Sequence, residues 1–373
     1  MNKTTIEKLA EFGQSAWLDN ISRSMIETGK LKQMIGLGLR GMTSNPSIFD
    51  KSISLTNDYD GRIKKLHRIG KSVFEIYDEL TVKDVGDAAD IFKSVYDKTE
   101  RLDGYVSLEI NPKLASKTKQ TIEEGRRLFK KVNRPNIMFK VPSTDAGFEA
   151  IEELLAEGIN VNVTLIFSVG QYIKTAEAYI KGMHRLSMKQ KDLSRISSVA
   201  SVFVSRVDTV ADKLIEGRLL KENNETIKNE LQVLKGKAAV ANSKLIYQKY
   251  LEIFSGEEFE QLKAKGANFQ RVLWGSTRTK NPAYSDIKYV SELIGKNTVN
   301  TIPEDTFQAF LDHGLVQEAL TSDVRDAKAT IDRLKGFKID INSICTQLLR
   351  DGVIAFEKSF ESLLDSIKKK AEI

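Results

Sequence analysis

The chain has 373 residues, and its 57 Lys and Arg against 51 Asp and Glu leave a formal charge of +6. At 41% hydrophobic and 29% charged residues it is too apolar to be a disordered chain. Its apolar runs, such as Val161 to Val169, carry Asn162 and Thr164 and fall short of the ~20 apolar residues a membrane span needs.

Eight short apolar segments follow one another as strand candidates: Ala16 to Asn20, Gly41 to Asn45, Tyr105 to Ile110, Ile137 to Pro142, Val161 to Phe167, Ser197 to Val204, Val272 to Ser276 and Thr298 to Ile302. Most are near-continuous apolar runs rather than strict alternations, the pattern of parallel strands covered by helices. Helical stripes lie between and after them. Phe148, Ile151, Leu154 and Leu155 form one, with Gly158 placed for a left-handed C-cap. Tyr172, Ile173, Ala176, Tyr179, Ile180 and Met183 form a second. Leu231, Leu234 and Ala238 followed by Ile246, Tyr247, Tyr250 and Leu251 read as one long helix. The tail carries Ile341, Ile344, Cys345, Leu348, Leu349, Phe356, Phe360, Leu363 and Ile367 at helical spacing.

Alternation of strand and helix predicts an α/β fold, and eight strands favour a (β/α)8 TIM barrel, with an open doubly wound sheet as the alternative. Residues 1–373 are read as a single barrel domain. Helical insertions at about 50–103 and 207–270 and a C-terminal helix complete it. Gly36-Leu37-Gly38-Leu39-Arg40-Gly41 matches a dinucleotide fingerprint in letters only. It follows a helical stretch and precedes a strand, the reverse of what that motif requires, and reads as a helix end and tight turn.

Cys345 is the only cysteine and sits on an apolar stripe, so no intrachain disulfide forms. The opening MNKTTIEKLAEFGQ lacks the apolar core of a signal peptide, and a cytoplasmic location is expected. His67, His184 and His313 lie far apart, and none sits in a zinc-type spacing, so no metal is expected. The densest basic block is Lys368–Lys370, without interleaved aromatics, which argues against nucleic-acid binding. The mild positive field suits phosphorylated substrates instead.

Polar residues at the ends of apolar strands carry the functional reading, because barrel enzymes draw their catalytic groups from C-terminal strand ends. Asp19, Asn45, Glu109, Lys140, and Asn162 with Thr164 stand at such ends on five strands. Each alone has a plain structural explanation in a turn, a cap or a solvated edge; together they converge on one pocket. A lysine among apolar neighbours is suited to attack a carbonyl as a free amine and form a Schiff base, because desolvation disfavours an ammonium. Nearby carboxylates can move the protons, and amides can hold the hydroxyls of a polyol. Ser201 and Arg206, then Ser276 and Arg278, place hydroxyl and guanidinium groups after consecutive late strands, the make-up of a phosphate site.

These segments resemble the transaldolase family in its longer bacterial subgroup. Gly13 to Asn20 resembles the first-strand signature and Gly41 to Phe49 the second, with Met42 bulkier than the family pattern. Ile137 to Thr144 is similar to the Schiff-base lysine segment and Ile159 to Ser168 to the strand after it. The resemblance implies a mechanism without a cofactor, in which Lys140 attacks the ketose carbonyl and Asp19 deprotonates the donor hydroxyl. Glu109 is implied to shuttle protons through a water held partly by Thr164. Asn45, Asn162 and Ser201 are implied to hold the three-carbon unit, and Arg206, Ser276 and Arg278 the phosphate. The implied reaction moves dihydroxyacetone from sedoheptulose 7-phosphate to glyceraldehyde 3-phosphate, giving erythrose 4-phosphate and fructose 6-phosphate. A fructose 6-phosphate aldolase with the same lysine is the nearest alternative, and a non-catalytic phosphate or nucleic-acid binder a more distant one. A homodimer is left open.

Overall fold

The computed structural model describes residues 3–372; Met1, Asn2 and Ile373, counted in the expected domain span, lie outside the described residues. Eight parallel strands run β1 Gln14–Asp19, β2 Gly41–Thr43, β3 Val106–Glu109, β4 Ile137–Pro142, β5 Val161–Ile166, β6 Ser198–Phe203, β7 Arg271–Gly275 and β8 Thr298–Ile302. Each pairs with the next, and β1 pairs with β8 from Gln14↔Thr298 to Leu18↔Ile302. The sheet is a closed barrel surrounded by helices, the expected TIM architecture.

Differences from the sequence reading sit at element ends. The second strand stops at Thr43, short of Asn45, because Asn45 begins the helix Pro46–Ser54. Its Oδ1 accepts from the Ile48 N–H at 3.0 Å, with Pro46 in the first turn. The long stripe from Leu231 is two helices, Glu225–Leu234 and Ala238–Phe254. Gly236, at φ 70°, turns the chain between them. Gly158 adopts φ 77° just past the helix Asp145–Ala156, where the C-cap was expected.

The apolar interior falls into two parts. Trp17, Met138, Val199, Leu273 and Val299 fill the barrel itself and meet Tyr96 and Tyr105 below. A far larger cluster lies between the strands and the helices. Strand side chains alternate, so residues two positions beyond the inner layer also face inward. From Trp17, Met138, Val199, Leu273 and Val299 that step reaches Asp19, Lys140, Ser201, Gly275 and Thr301, all lining one cavity. The apolar layer is therefore the floor of the site. Beneath it, Arg271 donates to Asp103 Oδ1 at 2.8 Å and to Ser15 Oγ at 2.9 Å, so its buried charge is neutralised.

The helices at 50–103 include the long Val73–Lys98, and those at 207–270 include Ser205–Leu219. The last helix, Ile341–Glu372, lies against Pro46–Ser54 and reaches β5. Gly352 permits that approach, since an added Cβ there would lie 3.0 Å from Leu165 Cδ2. Leu165 itself adopts φ 60°, beside a register shift in β5 between Val163 and Ile166. No described helix is long and apolar enough to cross a membrane.

Candidate active site

A cavity of about 160 Å³ opens at the C-terminal end of the barrel. Asp19, Asn45, Lys140, Ser201, Arg206 and Ser276 line it, six of the ten residues singled out from the sequence. Register explains the convergence: Glu109 pairs with Lys140, and Lys140 with Asn162, so all three sit at one level of neighbouring strands.

Lys140 is 4% exposed, and its Nζ lies 3.1 Å from Glu109 Oε2 and donates to the Ser44 carbonyl at 3.0 Å. The Phe356 ring stands 5.8 Å away. Burial raises the Glu109 carboxyl above its ordinary range, against the attraction of Lys140, which favours the charged form. Burial raises Asp19 likewise, opposed by Lys140 and by a hydrogen bond from Thr43 Oγ1 at 3.0 Å. Thr43 Oγ1 also lies 2.7 Å from Thr301 Oγ1, and with Thr301 donating, the Thr43 proton is free for Asp19. Both carboxyls are thus held above their ordinary range, which suits groups that exchange a proton with a substrate.

Asn162 and Thr164 are fully buried behind this surface. Asn162 accepts from Ser201 Oγ at 2.6 Å and donates to Ser107 Oγ at 3.0 Å, which fixes the Ser201 hydroxyl at the cavity wall. Thr164 Oγ1 has no hydrogen-bond partner among the described residues. Asn45 spends its oxygen on the helix cap and turns toward the cavity from the wall.

Arg206 is in the first turn of Ser205–Leu219, its guanidinium 5.3 Å from the Phe203 ring centroid. Burial opposes its charge and Asp19 supports it. Ser276, at φ 54°, lines the cavity beside it. Arg278 does not: its side chain is 66% exposed, pairs with Asp305 and lines an adjoining open cleft with Asn20, Lys51 and Gln308. Lys280, further along the same loop, is close enough to Arg206 for the two charges to oppose each other, and its pKa is lowered by burial and by that repulsion.

Sequence reasoning missed Thr43, Phe203, Thr301 and Phe356, which also line the cavity, together with Ser47, Leu273 and Gly275. The alternation beyond the inner apolar layer points to Thr301, and the β1–β2 register pairs Asp19 with Thr43. No described group of three or more His, Cys, Asp or Glu is placed to hold a metal ion.

A closed parallel barrel with a buried amine and two protonatable carboxyls at its C-terminal mouth has the make-up of an enzyme acting on carbonyl groups. A model of the transaldolase/fructose-6-phosphate aldolase family matches residues 16–367, and the chain belongs to that family. It is 47% identical to a transaldolase of Trichodesmium erythraeum, over 98% of this chain and 97% of that protein. It is 42% identical to transaldolase 2 of Nostoc punctiforme, over 100% and 99%, and 43% identical to a transaldolase of Saccharopolyspora erythraea, over 99% and 98%.

Proposed function

We propose that the chain is a transaldolase. It moves dihydroxyacetone from sedoheptulose 7-phosphate to glyceraldehyde 3-phosphate, leaving erythrose 4-phosphate and fructose 6-phosphate, in the non-oxidative pentose phosphate pathway. The observation that carries this reading is Lys140 Nζ, buried at the cavity floor and 3.1 Å from Glu109.

The Lys140 amine adds to the ketose carbonyl carbon, and Glu109 exchanges the protons that accompany addition and loss of water. The resulting iminium draws electrons from the neighbouring carbon–carbon bond. Asp19 takes the proton of the hydroxyl beyond that bond, the bond breaks, and the aldose phosphate leaves. The remaining enamine carbon bonds to the acceptor aldehyde, whose oxygen recovers a proton from Asp19. Water then releases the new ketose. Asn45, Ser201 and, through it, Asn162 suit the hydroxyls of the three-carbon unit, and Thr164 the water near Glu109. Arg206 and Ser276 suit the phosphate; Arg278 reaches it only by leaving Asp305. A cytoplasmic location accords with such substrates.

Borohydride reduction with fructose 6-phosphate is expected to trap a three-carbon adduct on Lys140, read by mass spectrometry. Lys140→Met abolishes both adduct and turnover while the circular dichroism spectrum is retained. An adduct on another lysine, or none, refutes the reading.

A further inference from the structure

Phe356, on the last helix, stands where two cavities meet. One is the site cavity with Asp19, Lys140 and Arg206. The other is a narrow crevice with room for about one water, lined by Glu109, Asn111, Pro112, Leu165, Val353 and again Phe356. Glu109 opens on the second cavity and is absent from the lining of the first, although it touches Lys140. The ring, 6% exposed, therefore separates the sugar side of the amine from the carboxyl side. It lies 5.8 Å from Lys140 Nζ and packs on the Phe203 ring at 6.3 Å.

The barrel holds this ring in place from several points. Gly352 allows the helix to seat on Leu165. One turn beyond the ring, Ser359 accepts from Ser47 Oγ at 2.7 Å, and Ser47 belongs to the site lining. Ser362 and Ser366 donate to Asp50 at 2.8 and 3.0 Å, and Lys370 pairs with Asp60. A phenylalanine fixed so firmly beside a reacting amine has no hydrogen bond to offer; what it supplies is the exclusion of water.

We propose that Phe356 is the wall that keeps water from the iminium carbon of the three-carbon intermediate, and so sets how often that unit is transferred rather than hydrolysed. This rests on the transaldolase reading above. In transfer, the enamine carbon bonds to the acceptor aldehyde carbon and no water is used. In the competing path the enamine carbon takes the proton that Asp19 removed during cleavage, and a water oxygen adds to the iminium carbon while Glu109 accepts one of its protons. As the carbon–nitrogen bond breaks, Glu109 returns that proton to the Lys140 nitrogen and takes up the remaining hydroxyl proton, and free dihydroxyacetone leaves. Removing the ring joins the two cavities and opens the second path.

The test measures two rates for each protein: release of free dihydroxyacetone from fructose 6-phosphate without acceptor, and transfer to erythrose 4-phosphate. In Phe356→Ala the ratio of release to transfer is expected to rise at least about tenfold, since one wall of a desolvated site is lost. In Phe356→Leu, which keeps an apolar side chain, it is expected to rise at least about twofold. A ring that merely supports the fold lowers both rates together, so an unchanged ratio overturns the proposal. If Phe356→Ala does not fold, the Leu variant alone decides. Absence of the borohydride adduct in the unaltered protein overturns the functional reading instead, which separates the two failures.

Discussion

Replacing Arg206 by Ala is the sharpest test of how the phosphate is held. The guanidinium is half-buried at the cavity, backed by Phe203 and facing no carboxylate closer than its long-range pairing with Asp19. A charged hydrogen bond lost from such a place costs about 1.5–3 kcal/mol. At about 1.4 kcal/mol per decade, kcat/KM for fructose 6-phosphate is expected to fall roughly 10- to 150-fold. Arg278 sets the contrast. At 66% exposure and already paired with Asp305, it exchanges one solvated partner for another. Exposed pairs contribute about 0–1 kcal/mol, so Arg278→Ala is expected to lose no more than about fivefold. Steady-state assays of both variants with fructose 6-phosphate and with unphosphorylated fructose separate phosphate binding from chemistry. A larger loss in Arg278→Ala than in Arg206→Ala, or equal losses of Arg206→Ala on both donors, refutes this assignment.

Asp19→Asn is expected to slow carbon–carbon cleavage by two or more orders of magnitude while a donor adduct on Lys140 still forms; equal loss of both steps in single-turnover traps contradicts the role. Glu109→Gln reverses that pattern, slowing adduct formation more than cleavage within the adduct. Asp84 is fully buried, pairs with Arg23 and accepts from Tyr59 Oη at 2.7 Å, and burial pushes its carboxyl up to about 6 from 3.8. A raised carboxyl contributes stability below its unfolded value and loses it as pH rises through the folded one. The stability of the protein relative to Asp84→Asn is therefore expected to fall by about 2 kcal/mol between pH 4 and 7. Urea titrations at both pH values measure it, and a constant difference refutes it.

The barrel was legible where strands are buried on both faces, for β4 and β8 end where their apolar runs end. Lys140 stood out because a charge inside Ile137 to Val141 has no solvated face to turn to. Asn45 was legible as a site residue but not as a helix cap, because both uses favour the same amide. Phe356 was hidden in the stripe of a distant helix, where Phe360 and Leu363 carry the same signal and only pack. The direction of Arg278 depends on Asp305, which follows β8, and no spacing within one segment discloses such a pairing. Local chemistry was thus readable, whereas partners brought from other elements were not.

The closing seam between β1 and β8 has a consequence for biosynthesis. Gln14 finds Thr298 only after some four-fifths of the polypeptide has been made, whereas the strands bearing Glu109 and Lys140 meet across a short stretch. Contacts of such long sequence separation form late and slowly. Until they form, the nascent chain presents two raw strand edges, so escape from aggregation while it is still on the ribosome depends on how soon that last gap is shut.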